Sequence, residues 1–175
     1  MARGLTPSQT VGPFFSFGLV EESSSNVVPA GTEGVIQISG TVFDGAGAPI
    51  PDAMVEIWQA DADGVYRSDF GWGRSGTEDG GRYTFTTMKP GAVQGDNGTL
   101  QAPHVIVMVF ARGLLKQAVT RMYFPDEESA NAADPFLTAI GNPEAVARLV
   151  ALPAGAGYRF DIRMQGDGET PFFAW

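Results

Sequence analysis

Residues 38–66, ISGTVFDGAGAPIPDAMVEIWQADADGVY, contain two segments of alternating apolar residues separated by a turn. Residues 35–43 alternate with the period of two that is typical of a half-buried strand, and Val55 and Ile57 resume it after the break. The intervening DGAGAP is typical of a turn, because glycine adopts positive φ and proline fixes its own φ. The 23 glycines and 12 prolines of the chain indicate many further turns. These features favour an all-β fold.

Further strands are predicted on the C-terminal side of this stretch. In EDGGRYTFTTMKPG, Tyr83 and Phe85 fall on a common face, while HVIVMVF is apolar on both faces, as in a central strand covered from both sides. QAVTRMYF follows closely, which predicts a hairpin through ARGLLK. NPEAVARLVAL predicts a short helix with Asn142 as N-cap and Pro143 at its first position. In YRFDIRMQG, the alternate residues from Tyr158 to Met164 are predicted to face the core.

The predicted architecture is one domain over residues 1–175, an antiparallel β-sandwich with long loops and a short helix near the C-terminus. Residues 1–34 precede the first predicted strand and are expected to form an N-terminal arm. The net charge of -9 argues against nucleic-acid and anionic-membrane partners, and the lack of cysteine excludes disulfides and thiolate metal sites. With no signal-type start and no apolar run long enough to span a bilayer, a soluble cytoplasmic protein is expected.

A glycine motif, GWGRSG, satisfies G-x-G-x-x-G at Gly71, Gly73 and Gly76. A dinucleotide-binding motif has to follow a strand and open a helix, whereas TEDGGRYTF after this one is turn and strand. We therefore expect a glycine-rich loop rather than a phosphate site.

Two candidate functional residues flank the apolar run HVIVMVF. His104, the only histidine, is either hydrogen-bonded within a core or one ligand of a metal site, which would need further ligands. Arg112 closes the segment, and its guanidinium either pairs with a carboxylate of the chain or binds an anionic substrate.

The stretch 38–66 resembles the signature region of the intradiol ring-cleavage dioxygenases. The resemblance rests on Val-Glu-Ile-Trp-Gln-Ala after a Gly/Pro turn, with a closing Gly-x-Tyr, and on the later MKPG and APH segments. It extends over essentially the whole chain. It implies a β-sandwich that takes part in cleavage of a catechol ring with O2 in aromatic catabolism.

The resemblance also identifies positions for a non-haem Fe(III) site, which the family builds from two tyrosines and two histidines. Tyr66 and His104 match one of each, but Val93 stands at the second tyrosine position and Ile106 at the second histidine position. Gln101 occupies the position of a catalytic arginine. Because valine and isoleucine offer no lone pairs, the resemblance implies that this chain binds no metal itself, and that Tyr66 and His104 are relics of the site.

TPSQTVGPFF, FARG and the C-terminal YRFDIRMQGDGETPFF are most similar to the alpha subunits of two-subunit family members, in which a homologous beta subunit holds the iron. This implies a hetero-oligomer whose N-terminal arm contacts the partner, with no catalytic residue in this chain. Thr10, Gly12, Pro13 and Arg112 are expected to line the substrate pocket beside the partner's iron. The implied reaction converts 3,4-dihydroxybenzoate (protocatechuate) and O2 to 3-carboxy-cis,cis-muconate.

Two alternatives belong to other classes of function. One is a non-catalytic, transthyretin-like β-sandwich that serves binding or assembly, for which the Gly-Pro segment of the arm and FARG would have no use. The other is a self-sufficient dioxygenase that completes a site around Tyr66 and His104 with further ligands. Metal content separates these alternatives from the alpha-type subunit. A red-brown complex with an iron-bearing partner would exclude the binding module, and iron in the isolated chain would indicate the self-sufficient dioxygenase.

Overall fold

Two β-sheets packed face to face form the body of the chain, whose computed structural model describes residues 4–12, 14–95 and 98–174. The strands are β1 Val35–Phe43, β2 Ala53–Gln59, β3 Trp72–Gly76, β4 Arg82–Met88, β5 Val93–Gln94, β6 Leu100–Gln101, β7 His104–Ala111, β8 Ala118–Tyr123, β9 Leu152–Ala154, β10 Gly157–Arg159 and β11 Ile162–Arg163. The predicted all-β sandwich is confirmed.

The two sheets differ in how their strands run. Sheet I has the order β11-β1-β10-β9, with β4 also paired to β1, and sheet II has the order β3-β2-β7-β8. Every pair in sheet II is antiparallel, but β10 and β11 run parallel to β1. Sheet I is therefore mixed, not purely antiparallel, because the chain returns to β1 through a long crossover rather than a hairpin. The pair β5–β6 forms a small separate ribbon.

The core lies between the sheets and follows the alternation of the sequence. Val55 and Ile57 of β2 are buried there, as are Tyr83 and Phe85 of β4, which were predicted to share a face. The predicted C-terminal strand is divided into β10 and β11, and its alternate residues 158, 160, 162 and 164 all pack in or against this core. The period-two pattern thus assigned the buried faces correctly.

Strand β7 is central in sheet II, as predicted, but its two faces are not equally covered. Val105, Val107 and Val109 are buried in the core, whereas Ile106, Met108 and Phe110 on the outer face are only partly buried. Full cover of both faces was therefore a wrong expectation for most of the strand. His104 is the exception, since it belongs to the outer face and is buried.

The glycine motif forms part of strand β3, so the prediction of a loop there is wrong. Gly73 pairs with Ile57 of the neighbouring strand. A Cβ added at Gly73 would lie 2.7 Å from Val27 Cγ2 and 3.2 Å from Phe85 Cδ1. Glycine is required here for close packing of a strand, which local sequence signals do not distinguish from a loop.

Short helices fill the connections between strands: α1 Phe15–Leu19, α2 Glu128–Ala133, α3 Pro135–Ile140 and α4 Pro143–Ala147. The predicted C-terminal helix is α4, and Asn142 caps it as expected, its side chain accepting from the backbone N–H groups of Glu144 and Ala145. Asp134 caps α3 in the same way. Within the described ranges no helix is both long and apolar enough to cross a membrane.

Candidate functional site

The candidate residues fall into two clusters at opposite ends of strand β7. His104 is the first residue of the strand, and Arg112 follows its last residue. Because an extended strand rises about 3.3 Å per residue, positions 104 and 112 are about 26 Å apart. Tyr66 and the two substituted ligand positions lie with His104, and Thr10 lies with Arg112. The structure therefore does not bring Arg112 to the relic ligand positions.

The His104 cluster is built on a hydrogen bond between the side chains at two of the predicted ligand positions. His104 is 1% exposed, and its Nε2 lies 3.3 Å from the Tyr66 hydroxyl. The other ring nitrogen, Nδ1, is 2.8 Å from the carbonyl oxygen of Ala102. Since a carbonyl only accepts, Nδ1 carries the proton and donates it, and Nε2 accepts from the Tyr66 O–H. The Tyr66 hydroxyl and His104 Nε2 are thus each other's hydrogen-bond partner.

Both members of this pair are held in their neutral forms. Burial lowers the pKa of His104 to about 4, and the positive charge of Arg121 adds to this shift. Burial likewise raises the pKa of Tyr66, against a smaller opposing effect of the same arginine. At neutral pH the cluster therefore contains a neutral imidazole and a neutral phenol.

The two substituted ligand positions are linked to the same cluster through Arg121 of β8. Ile106 pairs directly with Arg121 across β7 and β8. Val93 is buried and pairs with Gln101 in the β5–β6 ribbon. The Gln101 amide oxygen accepts from Arg121 Nη1 at 2.8 Å. Arg121 therefore lies opposite Ile106 and is linked to Val93 through Gln101, and its positive charge lowers the pKa of both Tyr66 and His104.

The donor set of this cluster does not suit a metal ion. Tyr66 and His104 use their metal-binding atoms on each other, and Val93 and Ile106 carry no donor atoms. A further cation, Arg121, is already buried beside them. Among the residues that the structure describes, no group of three or more histidine, aspartate or glutamate side chains is arranged to hold a metal ion.

The second cluster joins the N-terminal arm to the turn after β7. The Thr10 hydroxyl donates to the carbonyl oxygen of Ala111 at 3.2 Å and accepts from the backbone N–H of Gly113 at 2.9 Å. Gly12 follows two residues later, and its carbonyl accepts from the N–H of Phe15 as helix α1 begins. Pro13 lies outside the described residues. Thr10 thereby places the arm against the loop that carries Arg112.

Arg112 extends into solvent at the end of the sandwich. Its side chain is 81% exposed, and Nε lies 3.0 Å from Asp52 Oδ2. The other carboxylate oxygen, Asp52 Oδ1, is buried and has no hydrogen-bond partner among the described residues. This ion pair occupies Nε and leaves the other N–H groups of the Arg112 guanidinium accessible to a further anion.

The sequence reasoning missed two residues of these clusters, Arg121 and Asp52. Arg121 could have been noticed in the sequence, because it is the one charged residue in the predicted strand QAVTRMYF, and its neighbours in strand β8 are buried. A charged residue at such a position has to be paired or functional. Asp52 carries no comparable signal, because an aspartate after Pro51 is ordinary turn chemistry.

The family of the chain follows from comparison with known proteins. Residues 12–166 match the sequence profile of the family described as dioxygenase. With its β-sandwich and its signature segment, the chain belongs to the intradiol ring-cleavage dioxygenases, an iron-dependent family.

Among individual relatives, the chain is 39% identical to the protocatechuate 3,4-dioxygenase alpha chain of Pseudomonas putida, over 96% of this chain and 95% of that one. Identity to the alpha chain of Burkholderia cepacia is 38%, over 96% of each. The beta chain of the Burkholderia cepacia enzyme is 32% identical over 94% of this chain and 77% of its own length.

Solved structures show the same fold. The dioxygenase domain of a dioxygenase and carbohydrate-binding fusion protein from Streptomyces sp. SirexAA-E is 28% identical, with a TM-score of 0.61 over 90% of this chain and 95% of that one. An intradiol ring-cleavage dioxygenase from Tetranychus urticae superimposes with a TM-score of 0.62 at 19% identity, covering 92% of this chain and 93% of that one. The second likeness concerns the fold alone.

Proposed function

We propose that this chain is the alpha-type subunit of a hetero-oligomeric protocatechuate 3,4-dioxygenase, whose homologous beta subunit holds the Fe(III). The observation that carries the proposal is full-length similarity to two alpha chains, combined with a ligand cluster that is closed by the Tyr66–His104 hydrogen bond. The similarity to a beta chain supports a partner of the same fold.

The proposed reaction inserts both atoms of O2 between the two hydroxyl-bearing carbons of 3,4-dihydroxybenzoate. The bond between these two carbons breaks, the product is 3-carboxy-cis,cis-muconate, and all carbon and oxygen atoms of the substrate are kept while two protons are released. The iron chemistry belongs to the partner, so the task of this chain is to bind and orient the substrate and to enclose the pocket.

Arg112 is the proposed ligand of the substrate carboxylate. The chain has a net charge of -9, so its surface as a whole repels an anion and a local cation has to attract it. The accessible guanidinium offers a fork that fits a carboxylate, and Asp52 restrains its Nε side. Thr10, Gly12 and Pro13 are proposed to line the pocket beside it, with Thr10 also fixing the arm through its two hydrogen bonds.

The arm over residues 1–34 is the proposed contact with the beta subunit. Leu5, Phe14 and Phe17 are at least three-quarters exposed, and large apolar side chains of this kind are typical of surfaces that a partner covers. A pocket shared between two chains also requires positional precision, which a large, permanent interface provides. We therefore propose that this chain is a single domain and that it forms an obligate complex with the beta subunit.

Steady-state kinetics of the complex test the assignment of Arg112. A charge-assisted contact to a carboxylate contributes about 1.5–3 kcal/mol, so Arg112→Ala should lower kcat/KM for protocatechuate about ten- to a hundredfold. Unsubstituted catechol has no carboxylate and should be affected much less. Arg159→Ala is the matched control, because Arg159 is also an exposed arginine in an ion pair with a nearby aspartate.

The ratio of the two substrates' kcat/KM decides the outcome. A selective loss for protocatechuate with Arg112→Ala, and none with Arg159→Ala, supports the proposal. An equal loss for both substrates would mean that Arg112 supports the interface or the fold rather than the substrate. Stoichiometric iron and catechol cleavage by the isolated chain would contradict the alpha-type function itself.

A further inference from the structure

The proposed function leaves Arg121 without a role. Arg121 is 6% exposed, and within the described part of the chain no carboxylate lies within 4.0 Å of its guanidinium. Buried arginines are usually paired with an acid, because an isolated charge is costly to remove from water. The environment of this guanidinium therefore needs an explanation.

The partners of Arg121 are neutral. Nη1 donates to the Gln101 amide oxygen at 2.8 Å and to the Tyr123 hydroxyl at 3.4 Å, while the guanidinium carbon lies 4.0 Å from the centre of the Phe136 ring. Nε is buried without a hydrogen-bond partner among the described residues. The nearest linked negative charge is that of Asp134, whose Oδ1 accepts from the same Tyr123 hydroxyl at 3.4 Å. A single hydroxyl thus separates the cation from its counter-charge.

Arg121 is connected to the predicted ligand positions by strand pairing and by one hydrogen bond. Arg121 pairs with Ile106 across the sheet, and its acceptor Gln101 pairs with Val93 in the β5–β6 ribbon. The adjacent strand position, Tyr123, pairs with His104, and their ring centres are 5.8 Å apart. The cation therefore contacts or neighbours three of the four positions at which the family has metal ligands.

We propose that the guanidinium of Arg121 is the built-in cation of this cluster and that its charge excludes Fe(III) from the chain. The proposal rests on the function proposed above, and it adds a cause that the missing ligands alone do not supply. A metal ion bound by Tyr66 and His104 would be repelled by the positive charge of Arg121, which already acts on both side chains, and burial of the arginine reduces screening of this repulsion by water.

The proposal also accounts for the neutral state of the remaining ligands. An iron site requires Tyr66 as a phenolate and a free His104 Nε2, whereas here the phenol donates to the imidazole. With Arg121 as the cation and Asp134 as its indirect counter-charge, the cluster needs no further positive charge. Restoring two ligands without removing the arginine should therefore leave the site closed to metal.

Iron uptake by restored variants of the full chain tests this inference. The two missing ligands are returned with Val93→Tyr and Ile106→His, and the pair is combined with Arg121→Met or with the charge-conserving Arg121→Lys. Each purified variant, and the parent chain, is incubated with Fe(II) in air. Bound iron is measured by elemental analysis and by the visible tyrosinate-to-iron absorption band, and thermal melts verify that each variant is folded.

We expect the Arg121→Met triple variant to retain at least about tenfold more iron per chain than the double variant or the Arg121→Lys triple variant. If methionine is not tolerated, Arg121→Gln keeps a donor for Gln101 and takes its place. Full iron loading of the double variant would overturn the inference, as would equal iron loading of the lysine and methionine triple variants. The inference would also fail if a folded methionine or glutamine triple variant bound no more iron than the double variant. Iron in the parent chain would instead contradict the proposed function.

Discussion

Replacing Thr10 with valine should loosen the first part of the N-terminal arm from the loop of Arg112 while leaving the sandwich intact. The Thr10 hydroxyl makes two hydrogen bonds, to the Ala111 carbonyl at 3.2 Å and from the Gly113 N–H at 2.9 Å. These bonds join the arm to the loop of Arg112, more than 100 residues further along the chain. Valine keeps the branched shape of threonine and removes both bonds.

The size of the effect follows from these two bonds. Each contributes about 0.5–1.5 kcal/mol net, and the lower end applies because the site is partly exposed and water replaces the lost partners. The sum, about 1 kcal/mol, corresponds to a roughly fivefold smaller equilibrium constant between the held and the released arm. Because the arm contributes no residue to the two-sheet core except through its later residues, the melting temperature should change little.

Two measurements on the complex with the beta subunit check this expectation. The kcat/KM for protocatechuate should fall by up to about fivefold, and the Gly113 amide should lose hydrogen-exchange protection by about fivefold. Thr6→Val is the matched control, since Thr6 lies exposed in the same arm and its side chain makes no hydrogen bond within the described residues. Unchanged kinetics with Thr10→Val, or an equal loss with Thr6→Val, would refute the positioning role of Thr10.

Four further outcomes are expected. His104→Ala in the complex should leave its iron content unchanged and cost about 2–4 kcal/mol of stability, and loss of iron would mean that the metal had been misplaced. Because the folded-state pKa of His104 is about 4 and its ordinary value is 6.5, the stability it provides is complete above pH 6.5 and is lost as the pH falls toward 4, by about 3 kcal/mol in total. Urea denaturation of parent and His104→Ala chains between these pH values should show the parent with the steeper loss. Asp52→Asn removes a negative charge beside Arg112 and should lower KM for protocatechuate about two- to threefold without changing that for catechol, and an increase would assign Asp52 a positioning role instead. In size-exclusion chromatography, the chain and the beta subunit should elute as one species, and a monomer that persists beside the partner would argue against an obligate complex.

Several elements were predictable from local sequence because local physics decides them. The alternation in β1, β2 and β4 places apolar residues on the core side of a pleated strand, and the structure buries the expected ones. Asn142 followed by Pro143 indicates a helix start, because these residues satisfy the first backbone N–H groups and preset the backbone angle. The β3 strand was not predictable in this way, because Gly73 is selected by contacts with Val27 and Phe85 from other parts of the chain.

For the candidate site, the sequence likewise shows which residue types are present, and the fold shows which of them meet. The residue types at positions 93 and 106 are visible in the sequence, and side chains without lone pairs cannot bind a metal in any fold. Arg112 and Thr10 are equally visible as polar residues, but their meeting at one end of the sandwich depends on a hydrogen bond across 101 residues of sequence.

The sequence by itself therefore determined strands β1, β2, β4, β7 and β8, the Asn142 cap of α4 and the absence of two metal donors, since these depend on side-chain chemistry and on neighbours within a few residues. Only the tertiary structure decided that β10 and β11 run parallel to β1, that Tyr66 donates to His104, and that Arg121 is buried opposite Ile106. Each of these depends on which distant segments pack together, and that choice is made by burial of the whole apolar surface rather than by any local pattern.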